Sequence, residues 1–130
     1  MRLFVIGASG KVGSCLIARA VAHGHSVTAQ TRSIDKIRPT DGVTTVIGAP
    51  TDEAFLRAAV AGHDAVAFCL GVDSGGKTNL FSDATQALIG VMRSNGIKRL
   101  VVITGVGAGD TKGHGGWLYN RLIFPLFTYN

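Results

Sequence analysis

The chain is predicted to fold as one α/β domain over residues 1–130, built on a doubly wound parallel sheet with helices on both faces. Three observations predict it. Short apolar, β-branched runs alternate with longer amphipathic stretches along the chain. Apolar residues make up 46% and charged residues 16%, a balance that favours strands buried on both faces over a sheet wetted on one side. A cluster of glycines stands where the first strand gives way to the first helix. At 130 residues the chain can bury one hydrophobic core and is too short to add a separate substrate domain.

Strands are expected over residues 3–6, 26–31, 43–47, 65–70 and 100–104, each short, apolar and rich in Val, Ile, Thr or Phe. Between them the pattern changes to helical spacing. Residues 11–23 place Val12, Leu16, Ala20 and Val21 along one face, and Gly24 stops the helix. Residues 52–61 open with Asp52, which can cap the first turn, and residues 78–94 end before Asn95-Gly96. Residues 33–37 make at most one helical turn, because Pro39 cuts it off. Repeated strand–helix alternation implies right-handed crossovers wound on both sides of the first strand. Residues 105–116, with six glycines in twelve, read as a mobile, linker-like segment.

Charge and composition exclude several classes of function. The formal net charge is +5, from 13 Lys and Arg against 8 Asp and Glu. The cations are scattered, with only Lys98 and Arg99 adjacent, so no basic stripe for nucleic acid exists and an anionic small molecule is the expected partner. Residues 117–127 are apolar but carry Asn120, Arg121 and Pro125 and fall short of the ~20 residues that span a bilayer, so no membrane partner is expected. The opening MRLFVIG is too short an apolar run for a leader peptide, which makes the expected location cytoplasmic. Cys15 and Cys69 form no CxxC pair and read as buried free thiols in a reducing compartment. His23, His25, His63 and His114 show no ligand spacing, so they read as solvated and no metal site is expected.

The chemistry-bearing motif is Gly7-Ala8-Ser9-Gly10-Lys11-Val12-Gly13, which directly follows the first strand and opens the first helix. In that setting Gly7 permits the tight turn, Gly10 lets the backbone approach a pyrophosphate, and Gly13 lets helix and strand pack closely. The unpaired N–H groups of the first helical turn, at Lys11, Val12 and Gly13, carry the positive end of the helix dipole and can receive the anion. Ser9 can add a hydroxyl donor. The arrangement is that of a Rossmann-type dinucleotide site, with GxxGxxG spacing in place of GxGxxG.

The end of the second strand selects the cofactor. An acid there would hold a ribose 2′-hydroxyl, but the chain reads Gln30-Thr31-Arg32-Ser33. Arg32 can pair with a 2′-phosphate through its planar fork of donors, and Ser33 can donate another bond, so NADP is the expected cofactor.

These motifs, GASGKVG, TRS after strand two, AGHDAVAFCLG at strand four and RLVVITG at strand five, resemble the NAD(P)H-binding, NmrA-like branch of the atypical short-chain dehydrogenase/reductase family, which includes the biliverdin reductase B/flavin reductase proteins. The resemblance implies that Leu70 and Gly71 border the cofactor and that Thr104 lies near the nicotinamide. It also marks departures. Ala49 and Pro50 stand where the family usually has an Asp near the adenine, and Gly105 stands where a Ser often follows Thr104. Family members continue beyond the position of Asn130, so the C-terminal part of the family domain is expected to be absent from this chain.

Catalytic residues are not identified by the sequence. Reductases of this superfamily that act on carbonyls generally pair a Tyr with a Lys four residues later, whereas Tyr119 is followed at that spacing by Ile123 and Tyr129 by the chain end. No Ser/His/Asp set and no acid–base pair stands out. The function expected is therefore NADPH-dependent reduction of a flavin- or quinone-like small molecule, which needs no protein acid. A second reading is a redox sensor that binds NADP(H) and a protein partner without turnover. A third rests on Gly71-Val72-Asp73-Ser74-Gly75-Gly76-Lys77-Thr78, which fits the P-loop pattern GxxxxGK[ST] but lacks an acid at the end of strand five to complete a magnesium site.

Overall fold

The computed structural model describes residues 1–71, 78–104 and 116. They divide into two compact units, one of Met1–Gly71 with Leu80–Val102 and one of Val72–Asn79 with Ile103–Asn130. The first unit holds the whole sheet: β1 (Arg2–Ile6), α1 (Lys11–Ala22), β2 (Ser26–Thr31), a single 3-10 turn (Ile34–Lys36), β3 (Val43–Ile47), α2 (Glu53–Val60), β4 (Ala65–Phe68), α3 (Leu80–Ser94) and β5 (Leu100–Val102). Of the second unit, Thr78, Asn79, Ile103 and Thr104 are described and exposed. The expected linker-like stretch, residues 105–116, lies outside the described residues apart from Gly116.

The five strands are all parallel, in the order β3-β2-β1-β4-β5. This is the expected doubly wound, Rossmann-type sheet, with β1 at its centre. The chain moves outward from β1 to β3, then crosses back to β4, so the switch of direction falls between β1 and β4. The carboxyl ends of the strands at such a switch are the place where doubly wound sheets bind ligands.

Strand alternation builds two cores from one sheet. Phe4, Ile6, Val66 and Phe68 point to one face, where they meet Leu56 and Val60 of α2 and Ala84, Leu88, Val91 and Met92 of α3. Leu3, Val5, Val27, Ala29, Ala65 and Ala67 point to the other, against Ile17 and Ala20 of α1. The side chains facing α1 on β4 are alanines, and those facing α2 and α3 are Val66 and Phe68, so the core under α2 and α3 is the bulkier.

Helix ends follow local chemistry. Gly24, at φ 75°, turns the chain out of α1 after His23. Asp52 caps α2 by accepting from the Phe55 N–H at 3.1 Å. The 3-10 turn is as short as Pro39 requires. Two expected strands are longer than those observed. β4 and β5 pair only as far as Phe68 and Val102, so Ile103 and Thr104 fall outside the strand.

Candidate functional site

The first strand ends at Ile6, and the next seven residues build the turn at its carboxyl end. Gly7 has φ 74°, a left-handed conformation, and a Cβ there would sit 2.7 Å from the Cys69 carbonyl oxygen and 2.9 Å from Leu70 Cα. Only glycine fits both the dihedral and the gap. The Gly7 carbonyl accepts from the Gly10 N–H at 3.1 Å and closes the turn. A Cβ on Gly13 would overlap that same carbonyl oxygen and lie 2.9 Å from Ala8 Cα, so α1 packs directly on the backbone that leaves β1.

Gly10 differs from the other two. Its backbone is ordinary, φ −74° and ψ 164°, open to any L-residue. A Cβ there would meet only the Gly7 oxygen at 3.4 Å and the Cys69 oxygen at 4.0 Å. The fold itself does not require glycine at this position, so the bare Cα is left for something that approaches from outside.

The start of α1 could receive an anion. Gly10 is its N-cap and supplies no side-chain bond, and the first turn contains no acid. The first helical bond runs from the Ser14 N–H to the Gly10 carbonyl at 2.9 Å, which leaves the N–H groups of Lys11, Val12 and Gly13 without an acceptor among the described residues. Ser9, Lys11 and Val12 are exposed beside them. Leu70 is half-buried and Gly71 exposed where β4 passes the Gly7 turn. These donors, with no competing carboxylate, fit the phosphates of a dinucleotide.

Two residues that sequence reasoning noted only for lacking a carboxylate hold this loop in place. Gln30 is buried, and its Oε1 accepts from the Gly7 N–H at 3.0 Å while its Nε2 donates to the Gly48 carbonyl at 2.6 Å. Its backbone carbonyl also accepts from the Ala8 N–H at 3.1 Å. Thr31, also buried, donates its hydroxyl to the Ser33 carbonyl at 2.9 Å and accepts from the Ser33 N–H at 3.2 Å. That reciprocal pair fixes the turn on which Arg32 stands. Arg32 is exposed and makes no hydrogen bond or ion pair with any described residue, and Ser33 is half-buried beside it. The available signal was a glutamine at the end of a central strand, where a buried polar side chain must find partners.

The structure corrects two expectations about reactive side chains. Cys15 is exposed, not buried, because it lies on the outward face of α1 opposite Ile17 and Ala20; Cys69 is buried, and burial raises its thiol pKa. His63 is only part-solvated: its ring packs edge-on against Phe4 at 5.4 Å, its Nδ1 lies 3.1 Å from the Val60 carbonyl oxygen and its Nε2 lies 2.8 Å from the Thr28 hydroxyl. It closes the opposite end of the sheet.

The remaining site expectations are not brought together. Thr104 is exposed and belongs to the second unit. Residues 72–77 of the P-loop pattern, Tyr119, Tyr129 and His114 lie outside the described residues. Among the described residues no three His, Cys, Asp or Glu side chains group to hold a metal ion, and no helix is long and apolar enough to cross a membrane.

Fold and loop together define a dinucleotide-binding domain. The chain belongs to the NAD(P)H-binding family, whose profile matches residues 7–129. It is 31% identical over 110 residues to the uncharacterized protein YwnB of Bacillus subtilis, covering 83% of this chain and 49% of that protein. Its fold is similar to the oxidoreductase ylbE of Lactococcus lactis, with TM-score 0.77 and 20% identity over 95% of this chain and 57% of that one. It is also similar to a Veillonella parvula short-chain dehydrogenase/reductase solved in complex with NADP, with TM-score 0.67 and 20% identity over 82% of this chain and 48% of that one. The chain thus spans about half the length of the relatives it matches.

Proposed function

We propose that this chain binds NADP(H) in preference to NAD(H), and that the protein it represents uses NADPH to reduce a flavin- or quinone-like acceptor, as in the NmrA-like branch with the biliverdin reductase B/flavin reductase proteins. The observation that carries the cofactor half is Arg32: an exposed guanidinium with no partner among the described residues, on a turn fixed by Thr31, where NAD-binding proteins place an acid. Gly10 and the first N–H groups of α1 would hold the pyrophosphate, and Arg32 with Ser33 the 2′-phosphate. Leu70 and Gly71 would border the nicotinamide half.

When bound, NADPH supplies a hydride. The chain has to orient the nicotinamide and exclude water, and Tyr119, followed four residues on by Ile123, is not half of a Tyr–Lys pair that protonates an alkoxide. An acceptor that tolerates the incoming charge and takes its proton from water suits such a site, which favours flavins and quinones over simple carbonyls. Thr104 would orient the acceptor through one hydroxyl.

The test is loss of NADPH absorbance with a panel of flavins, quinones, aldehydes and ketones, for wild type, Tyr119→Phe and Thr104→Val. Flavin or quinone turnover that survives Tyr119→Phe supports the reading. Carbonyl reduction abolished by Tyr119→Phe overturns it, and so does tight NADPH binding with no turnover of any acceptor, the behaviour of a sensor.

A further inference from the structure

Helix α3 carries a glycine that its own packing does not use. Gly90 is exposed in the middle of this fifteen-residue helix, and a Cβ built on it meets nothing within 4 Å. Glycine inside a helix destabilises it relative to alanine, and no contact among the described residues offsets that loss. Asp83, Gln86 and Arg93 are exposed on the same side. At about 100° per residue the four positions fall within about 80° of arc, one stripe along the outer surface of the helix. Neither Asp83 nor Arg93 has an ion-pair partner among the described residues. Ile89, 38% exposed, flanks the stripe, which borders an open cleft of about 760 Å³ beside Glu53.

We infer that this stripe is the contact between two copies of the chain, packed antiparallel about a two-fold axis crossing α3 midway between Asp83 and Arg93. The charge order selects this partner. The acid lies toward the N-terminal half and the base toward the C-terminal half, ten residues or about 15 Å apart. A two-fold operation sets each Asp83 beside the Arg93 of the other copy, giving two ion pairs from one stripe. A parallel pairing would oppose like charges. The same operation sets each Gln86 over the Gly90 of the other copy, where the missing side chain lets the helices approach closely. A uniformly acidic or basic partner would satisfy only one end, whereas an isologous contact is complementary to itself. A stripe about three turns long is small beside the roughly 1,200–2,000 Å² of stable interfaces, so the dimer is weak and dissociable.

Sedimentation velocity over roughly 1–200 µM tests this, with a dimer gaining weight as concentration rises. Arg93→Asp and Asp83→Arg should each raise the dimer dissociation constant roughly tenfold, and the two together should return it to within about threefold of wild type. Gly90→Leu should also weaken the dimer while leaving the thermal midpoint of dilute protein equal or higher, which a merely structural role for Gly90 would not allow. A protein that stays monomeric throughout the range overturns the inference. So does a dimer indifferent to the charge exchange, or one that Gly90→Leu leaves intact.

Discussion

The Gln30 side chain accepts a hydrogen bond from the Gly7 N–H at 3.0 Å, so the penultimate residue of the second strand holds the residue that begins the glycine loop. The same amide donates to Gly48 at the end of β3. One buried side chain therefore ties together the carboxyl ends of β1, β2 and β3, the rim on which the candidate site is built. Gln30→Leu keeps much of the volume and removes both bonds, leaving a donor on Gly7 and an acceptor on Gly48 without their partner. The expected loss is about 1–3 kcal/mol of unfolding free energy in urea titration. Affinity for NADPH and NADH should fall together, because the loop positions phosphates that both share. Unchanged stability would show that water replaces the amide at no cost.

The three loop glycines separate into a pair the fold needs and one, Gly10, that it does not and that the proposed function assigns to the pyrophosphate. Gly13→Ala drives a Cβ into the Gly7 carbonyl, a backbone atom that cannot move without opening the turn. It should lower stability by roughly 1–3 kcal/mol, in the range of an overpacked core site. Gly10→Ala adds a Cβ at 3.4 Å from its nearest neighbour on an ordinary backbone, so stability should change by no more than about 1 kcal/mol. Its cofactor affinity should nevertheless drop for NADPH and NADH alike. A thermal melt beside calorimetric binding separates the two, and a Gly10→Ala variant that binds as wild type would remove the phosphate from this loop.

The fold was legible because its signals are local and repeated. β2 and β3 run over the residues expected, and α1 ends where Gly24 permits a left-handed turn. β4 and β5 end early because a strand's length depends on its neighbour, which periodicity within one segment does not report. The site was legible in part for the same reason. Glycines announce backbone requirements, but Gln30 looked like an ordinary polar residue because its partners are 18 and 23 positions away. Cys15 read as buried by residue type alone, although its helix turns it to solvent. His63 read as solvated for want of ligand spacing, when its partners, Thr28 and Val60, are structural.

Asp64 gives the amino ends of β1 and β4 an acid-sensitive tie. Its carboxylate accepts from the Arg2 N–H at 2.6 Å and lies 3.5 Å from the Arg2 guanidinium. The backbone bond is the largest cause holding its pKa below the ordinary value, with the Arg2 charge adding to it. A depressed folded pKa contributes stability that is present above the unfolded value, about 4, and is lost as pH falls through the folded one. Unfolding followed from pH 7 downward should therefore show part of the acid destabilisation disappear in Asp64→Asn, with the difference confined to the region below about pH 4. The pair is solvent-exposed, so the effect should shrink further in high salt. An identical pH profile for the two proteins would mean that this carboxylate titrates the same way folded and unfolded.

On the proposed function, cofactor choice turns on Arg32, whose surroundings are set by Thr31. Thr31 bonds to both backbone groups of Ser33 and holds the turn that presents Arg32. No carboxylate at the end of β2 competes for the guanidinium or for a ribose hydroxyl. A planar fork on a phosphate dianion forms charge-assisted bonds worth about 1.5–3 kcal/mol, which corresponds to roughly a ten- to hundredfold preference for NADPH over NADH. Arg32→Ala should bring that ratio close to one by weakening NADPH while leaving NADH nearly unchanged. Arg32→Lys keeps the charge but loses the fork, so it should retain only part of the preference. Thr31→Val keeps the shape of the buried side chain and removes its two bonds; if Arg32 depends on that turn, NADPH should weaken more than NADH in this variant as well. Isothermal calorimetry with both cofactors on the four proteins measures every term. A ratio that Arg32→Ala leaves unchanged would place the 2′-phosphate elsewhere, and the reading of β2 as the selector would fail with it.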